Sequence, residues 1–212
     1  MNWQIDIPLI AILRGIQPEE VLEHVAALLA SGFSAIEIPT NSPRWQESIA
    51  CMVTQFGESG LFGAGTVLQP QQVDSLAALG GRLLVTPNVN PAVLQRGIEH
   101  GMLVCAGCAT ATEAFTALAA GAQMLKIFPS ASFGPDYIKA LKAVLPPEIP
   151  VLAVGGVTPD NLGRWLRAGC AGAGLGSDLY CAGQPVTRTR SQAQAFVEAY
   201  QSIATQVPGE LK

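Results

Sequence analysis

Lys126 stands in the middle of Gly121-Ala-Gln-Met-Leu-Lys-Ile-Phe-Pro129, with Leu125 and Ile127 on either side. The chain has only four lysines: Lys139 and Lys142 fall on a predicted helix and Lys212 is the last residue, so Lys126 alone is set in an apolar strand. Burial disfavours the charged ammonium. An amine that sheds its proton near neutral pH is a nucleophile for Schiff-base chemistry on a carbonyl. A lysine solvated at a strand end, or paired with a carboxylate, is the plainer reading of that strand taken alone. Glu37, between Ile36 and Ile38, is the second charge inside an apolar strand. An amine that bonds a carbonyl and a carboxylate that moves protons are the two groups such a reaction needs.

These two residues must be positioned by a common frame, and the glycines mark it. A helical stretch ends, a glycine follows and a short apolar run begins at Gly32, at Gly80-Gly81, and at Gly101, Gly121 and Gly169. Glycine just past a helix end closes the helix in the left-handed conformation. The runs that follow include Ala35-Ile-Glu-Ile38, Leu83-Leu-Val-Thr86, Leu103-Val-Cys105, Met124 to Phe128 and Gly172-Ala-Gly-Leu175. Leu9 to Leu13, Phe62 to Thr66 and Val151 to Val154 complete eight strands. Helices are predicted from the starts at Pro18-Glu-Glu20, Asn41-Ser-Pro43, Pro70, Pro91, Thr112-Glu113, Pro135 and Thr158-Pro-Asp160, with a last one over 191–204. Runs without strict alternation suit parallel strands buried on both faces. Eight strands alternating with eight helices predict a (β/α)8 TIM barrel, one domain over residues 1–212. An open doubly wound sheet would carry a Gly-x-Gly-x-x-Gly after its first strand, where this chain has Leu13-Arg14-Gly15-Ile16.

In such a barrel chemistry belongs at the C-terminal strand ends. Those ends carry Arg14, Glu37, Thr66, Thr86, Cys108 to Thr110, Lys126, Gly155-Gly156 and Gly176-Ser177. The two glycine turns after strands seven and eight suit a phosphate, which bare backbone N–H groups can hold; tight turns alone would also use glycine there. Arg14 matches either a phosphate or a substrate carboxylate.

Composition excludes several classes. A net charge of −4 with scattered Lys and Arg argues against nucleic acid as a partner. No apolar run reaches the roughly 18 residues of a membrane span, and the N-terminus lacks the features of a signal peptide. Five irregularly spaced cysteines point to reduced thiols and a cytoplasmic setting. Cys105-Ala-Gly-Cys108 has no second pair to make a zinc site. The two histidines, His24 and His100, fall in predicted helices rather than at strand ends, so a catalytic metal has too few ligands. They read as surface or helix-packing residues.

Glu37-Ile-Pro, Gly63-Ala-Gly-Thr66-Val, Val85-Thr-Pro87-Asn, Lys126-Ile-Phe-Pro129 and Val154-Gly-Gly156-Val, in this order, resemble the family of 2-keto-3-deoxy-6-phosphogluconate and 2-keto-3-deoxy-6-phosphogalactonate aldolases. The resemblance runs from Pro8 to about Tyr200. Asn41 and Val154 stand where the gluconate branch usually has arginine and threonine, so the chain looks more like the galactonate branch. The resemblance implies a lyase that cleaves the phosphorylated sugar acid to pyruvate and D-glyceraldehyde 3-phosphate, in galactonate degradation. It implies Lys126 as the Schiff-base lysine and Glu37 as the acid–base. It implies Arg14 and Thr66 at the pyruvoyl carboxylate, Val154 at the substrate, and Gly155, Gly156, Gly176 and Ser177 at the phosphate. No metal or organic cofactor is implied, and a homotrimer is expected. A gluconate-branch aldolase, a non-covalent phosphosugar epimerase or synthase, and a non-catalytic phosphosugar-binding barrel are the alternatives.

Overall fold

Short parallel strands can be apolar on both faces only if something covers each face, and a closed barrel supplies both covers. The structure, a computed structural model, describes residues 7–204. Its strands are β1 Leu9–Ile12, β2 Ala35–Pro39, β3 Leu61–Gly65, β4 Leu83–Val85, β5 Leu103–Cys108, β6 Met124–Ile127, β7 Val151–Val154 and β8 Gly172–Leu175. They pair in parallel in chain order, and β8 returns to β1 through the register Ile10 with Gly174. The barrel is closed.

Around it lie α1 Val21–Ala30, α2 Trp45–Phe56, α3 Pro70–Ala78, α4 Pro91–Glu99, α5 Ala111–Ala119, α6 Ser130–Phe133, α7 Pro135–Lys142, α8 Leu162–Arg167 and α9 Val186–Ala204. The five predicted helix-closing glycines, 32, 80, 101, 121 and 169, all have φ between +71° and +100°. Proline opens α3, α4 and α7, where its missing N–H costs nothing. Thr110 caps α5 through the Glu113 amide, and the Glu113 carboxylate returns a bond to the Thr110 N–H.

Several elements differ from the sequence expectation. A four-residue turn of helix, α6, precedes α7, and Gly134 at φ +79° separates the two. The last helix begins at Val186 rather than at 191. The segments at Pro18 and Asn41 are turns, and α1 and α2 begin a few residues later, at Val21 and Trp45. The Phe128–Pro129 peptide is cis.

Strand residues two apart share a face, and the apolar side chains divide accordingly. Leu9, Ala11, Ile36, Ile38, Leu84 and Val104 pack outward with the helices, in the larger cluster. Ile10, Ile12, Ala35, Leu83, Val85 and Met124 belong to a smaller cluster that fills the barrel. Glu37 is two residues from Ala35 and Lys126 two from Met124. Both charged side chains therefore point into the barrel, at the end where the strands finish.

Candidate active site

Glu37 and Lys126 are buried, at 1% and 5% relative exposure. Each is held by its strand with apolar neighbours on the outer face, so neither can swing into solvent without disturbing the sheet. Burial pushes the Glu37 carboxyl up to about 7, against the pull of the Lys126 and Arg14 charges and of the Gly65 peptide N–H. Burial likewise pushes the Lys126 ammonium below its ordinary value; the charges of Glu37 and Cys105 oppose that fall and Arg14 adds to it. The two groups sense one another, and their pKa values move toward each other. Burial thus favours the neutral form of each group, the amine of Lys126 and the carboxylic acid of Glu37.

Room for the carboxylate is made by β3. A Cβ added to Gly65 would lie 2.1 Å from Glu37 Oε2, so only a residue without one fits opposite it. Oε2 is buried and takes no hydrogen bond from any described residue. A buried carboxylate oxygen left open by the protein is costly unless something uses it, and it faces the barrel interior. The Lys126 ammonium also lies 5.0 Å from the centre of the half-exposed Phe128 ring, within cation–π reach.

Arg14 stands at the rim. Its Nη1 donates to Asn41 Oδ1 at 2.6 Å and its Nη2 to Thr66 Oγ1 at 3.4 Å. Thr66 itself has φ +55°, a left-handed backbone that a β-branched residue rarely takes. Thr40 Oγ1 donates to the Thr66 carbonyl at 2.6 Å and helps hold that conformation. Backbone held in a sparsely populated region clusters at functional sites.

Val154 closes β7 as part of the interior cluster, and its N–H donates to the buried Ser130 hydroxyl at 3.0 Å. Gly155 and Gly156 follow with φ +95° and +75°. A Cβ on Gly156 would come within 2.6 Å of the Ala131 Cβ, so α6 packs directly on this turn. After β8, Gly176 faces open space and Ser177 is exposed. The Gly176 carbonyl accepts from the N–H groups of Leu179 and Tyr180, which fixes the turn.

The structure thus brings Glu37, Lys126, Arg14, Thr66, Val154 and the two glycine turns to one end of the barrel. The hydroxyls of Thr86 and Thr110 are engaged with the backbone. The Thr86 hydroxyl donates to the Asn88 carbonyl and accepts from the Gly107 N–H, and Thr110 caps α5. Cys105 and Cys108 are buried free thiols, each pushed up to about 12 chiefly by burial, which makes both unreactive. His24 is buried against Thr189, and His100 pairs with Asp74 away from the strand ends. Among the described residues no group of three or more His, Cys, Asp and Glu could hold a metal ion, and no helix is long and apolar enough to cross a membrane. Two residues had no part at the site in the sequence reading: Gly65 and Asn41. Gly65 carried a signal, since glycines at 63 and 65 share one face of a strand and such glycines mark a close approach. Asn41 was read as a helix start and a branch marker, and its contact with Arg14 was hidden because it joins two separate loops.

A protein of Escherichia coli (strain K12) named 2-dehydro-3-deoxy-6-phosphogalactonate aldolase is 65% identical over 200 residues, 94% of this chain and 98% of that protein. A Rhizobium meliloti (strain 1021) protein named probable 2-dehydro-3-deoxy-6-phosphogalactonate aldolase is 47% identical over 196 residues, 92% of each chain. A solved structure described as native KDPGal superposes with a TM-score of 0.95 at 64% identity, covering 98% of this chain and 100% of that one. The family model for KDPG and KHG aldolases matches residues 4–188. The chain belongs to that aldolase family.

Proposed function

We propose that this chain is a class I aldolase that cleaves 2-dehydro-3-deoxy-6-phosphogalactonate, reversibly, to pyruvate and D-glyceraldehyde 3-phosphate. The observation that carries the reading is the pair Lys126 and Glu37, both buried inside the barrel with pKa values displaced toward one another. The 65% identity with the Escherichia coli protein supports the substrate.

The neutral Lys126 amine attacks the C2 ketone, and loss of water from the carbinolamine gives the protonated imine. Glu37 takes the C4 hydroxyl proton, through a water at its open Oε2. The C3–C4 electron pair moves into the imine, which becomes an enamine, and the aldehyde leaves. Glu37 then returns a proton to C3, and water hydrolyses the imine to release pyruvate and the free amine. A carboxylate with a pKa of about 7 is poised to serve in both directions. Arg14 and Thr66 hold the pyruvoyl carboxylate. Arg14 is tied by hydrogen bonds toward the β2 and β3 loops rather than toward the glycine turns, which favours the carboxylate over the phosphate for this guanidinium. Gly155, Gly156, Gly176 and Ser177 hold the phosphate, and Val154 lies along the substrate. The protein works as a single-domain barrel in a homotrimer in the cytoplasm, without metal or organic cofactor.

Reduction with cyanoborohydride in the presence of pyruvate, followed by peptide mass mapping, tests the covalent step. The expected result is a pyruvate adduct on Lys126 and none on Lys139 or Lys142. Lys126→Ala is expected to trap nothing and to turn over neither sugar acid. No adduct on the wild-type chain, with turnover retained, overturns the Schiff-base reading. Turnover of the gluconate isomer in preference to the galactonate one overturns the substrate but not the mechanism.

A further inference from the structure

Arg14 differs from the two arginines that form ion pairs among the described residues. Arg44 pairs with Glu19 and Glu47, and Arg96 with Asp74 and Glu99. Arg14 enters none of the salt bridges among the described residues. Its two anchors are neutral oxygens, one amide and one hydroxyl. A guanidinium has only donors, so the Asn41 atom that meets it must be the oxygen. The two anchors take one hydrogen from each terminal nitrogen and orient the group, while no carboxylate of a described residue lies within salt-bridge distance of it.

The loops that carry the two side chains are themselves pinned. The Gly15 N–H, next to Arg14, donates to Ser42 Oγ at 2.9 Å, and Ser42 is buried beside the exposed Asn41. Ser42 in turn donates its N–H to the Pro39 carbonyl at the end of β2. Asn41 therefore stands on a frame continuous with the strand that carries Glu37.

We propose that Asn41 is a positioning residue for Arg14: its side-chain oxygen aims the guanidinium at the substrate carboxylate while adding no negative charge that would compete for it. This assignment rests on the aldolase reading above and assigns to Asn41 a part in carboxylate recognition. Two variants separate geometry from charge. Asn41→Ala removes the anchor. Asn41→Asp keeps an oxygen at the same place and strengthens the contact with Arg14, but it pairs off the charge.

The readout is the ketone concentration that gives half-maximal cyanoborohydride trapping on Lys126, measured with pyruvate and with acetone, which has no carboxylate. A lost hydrogen bond to a charged group at an exposed site is expected to raise the pyruvate value about fivefold in Asn41→Ala. Asn41→Asp is expected to raise it further, by about tenfold or more. Acetone trapping and thermal stability are expected to match the wild type in both variants. The proposal is overturned if Asn41→Asp traps pyruvate as well as the wild type does, or if acetone trapping falls by the same factor as pyruvate trapping. If the wild type traps acetone and pyruvate on no lysine, the aldolase reading falls and this assignment with it; wild-type trapping with unchanged variants overturns the assignment alone.

Discussion

Gly65 and Glu37 occupy one space between them: the carboxylate of Glu37 lies where a Cβ on Gly65 would be, 2.1 Å from Oε2. The β2–β3 register sets this up, with Glu37 beside Gly63 and Pro39 beside Gly65. Gly65→Ala is expected to turn the carboxylate away from its place. A displacement of about 1 Å in a reacting group can cost on the order of a hundredfold in rate, and a loss of that size in kcat is expected. Pyruvate trapping on Lys126 should persist, because imine formation does not need the carboxylate at that point. Comparing kcat with the trapping yield checks it, and equal losses in both would refute it.

The coupling of Glu37 to Lys126 has a sign that can be measured. The Glu37 charge raises the Lys126 pKa against the burial that lowers it. Glu37→Gln removes that support, so the pH of half-maximal pyruvate trapping is expected to move down. The stability of the fold should respond as well. The folded Glu37 pKa of about 7 lies above its ordinary 4.5, so stability is greatest below 4.5 and is lost as pH rises through about 7. Gln does not titrate. The loss of stability between about pH 5 and about pH 8 should therefore be smaller in the variant, and urea unfolding at the two pH values checks it.

Val154 presents a methyl surface at the end of β7, packed so closely that a Cβ on Gly174 would meet its Cγ2 at 2.8 Å. Val154→Thr keeps the shape and adds one hydroxyl inside the barrel. The two sugar acids differ at one hydroxyl-bearing carbon. The ratio of kcat/KM for the gluconate isomer to that for the galactonate isomer is expected to rise about tenfold. An unchanged ratio would remove Val154 from substrate discrimination.

His24 and Thr189 form a buried polar pair that joins α1 to α9, at 2.8 Å, with Gln184 also donating to Thr189 Oγ1 at 2.7 Å. Burial holds the His24 pKa below its ordinary 6.5 against the charges of Glu23 and Glu20. The unfolded chain therefore takes the proton first, and stability present above 6.5 is lost as pH falls through the lower folded value. Thr189→Val leaves the buried His24 Nδ1 without this partner, while Gln184 Nε2 keeps its bond to the Leu179 carbonyl, and is expected to cost about 1–3 kcal/mol. A chain of this size loses about 2–4 °C of Tm per kcal/mol. Thermal melts at neutral pH and in acid test both statements.

The sequence made Lys126 and Glu37 visible because a charge in an apolar strand has no cheap explanation. The barrel was visible because each closing glycine imposes the same backbone twist; most strand limits came out within about one residue, while β5 runs three residues past the expected Cys105, to Cys108. What could not be read depends on contacts between distant loops. Asn41 reads as a helix cap until Arg14 is seen to bond it. Thr86 and Thr110 read only as polar strand ends, and what their hydroxyls do, which is to serve the backbone, depends on contacts the sequence does not show. The early start of α9 was hidden because Thr187, Arg188, Thr189 and Arg190 look like a polar loop, although Thr189 is fully buried.

The closing pair of the barrel, β1 with β8, joins residues from the two ends of the described chain, Ile10 and Gly174 among them. Arg14 sits just after the first of these strands and Gly176 just after the second. During synthesis the strand bearing Arg14 leaves the ribosome long before its partner exists, and its edge must wait unpaired. Exposed strand edges recruit other chains, so the nascent protein carries its greatest exposure to misassociation until β8 emerges.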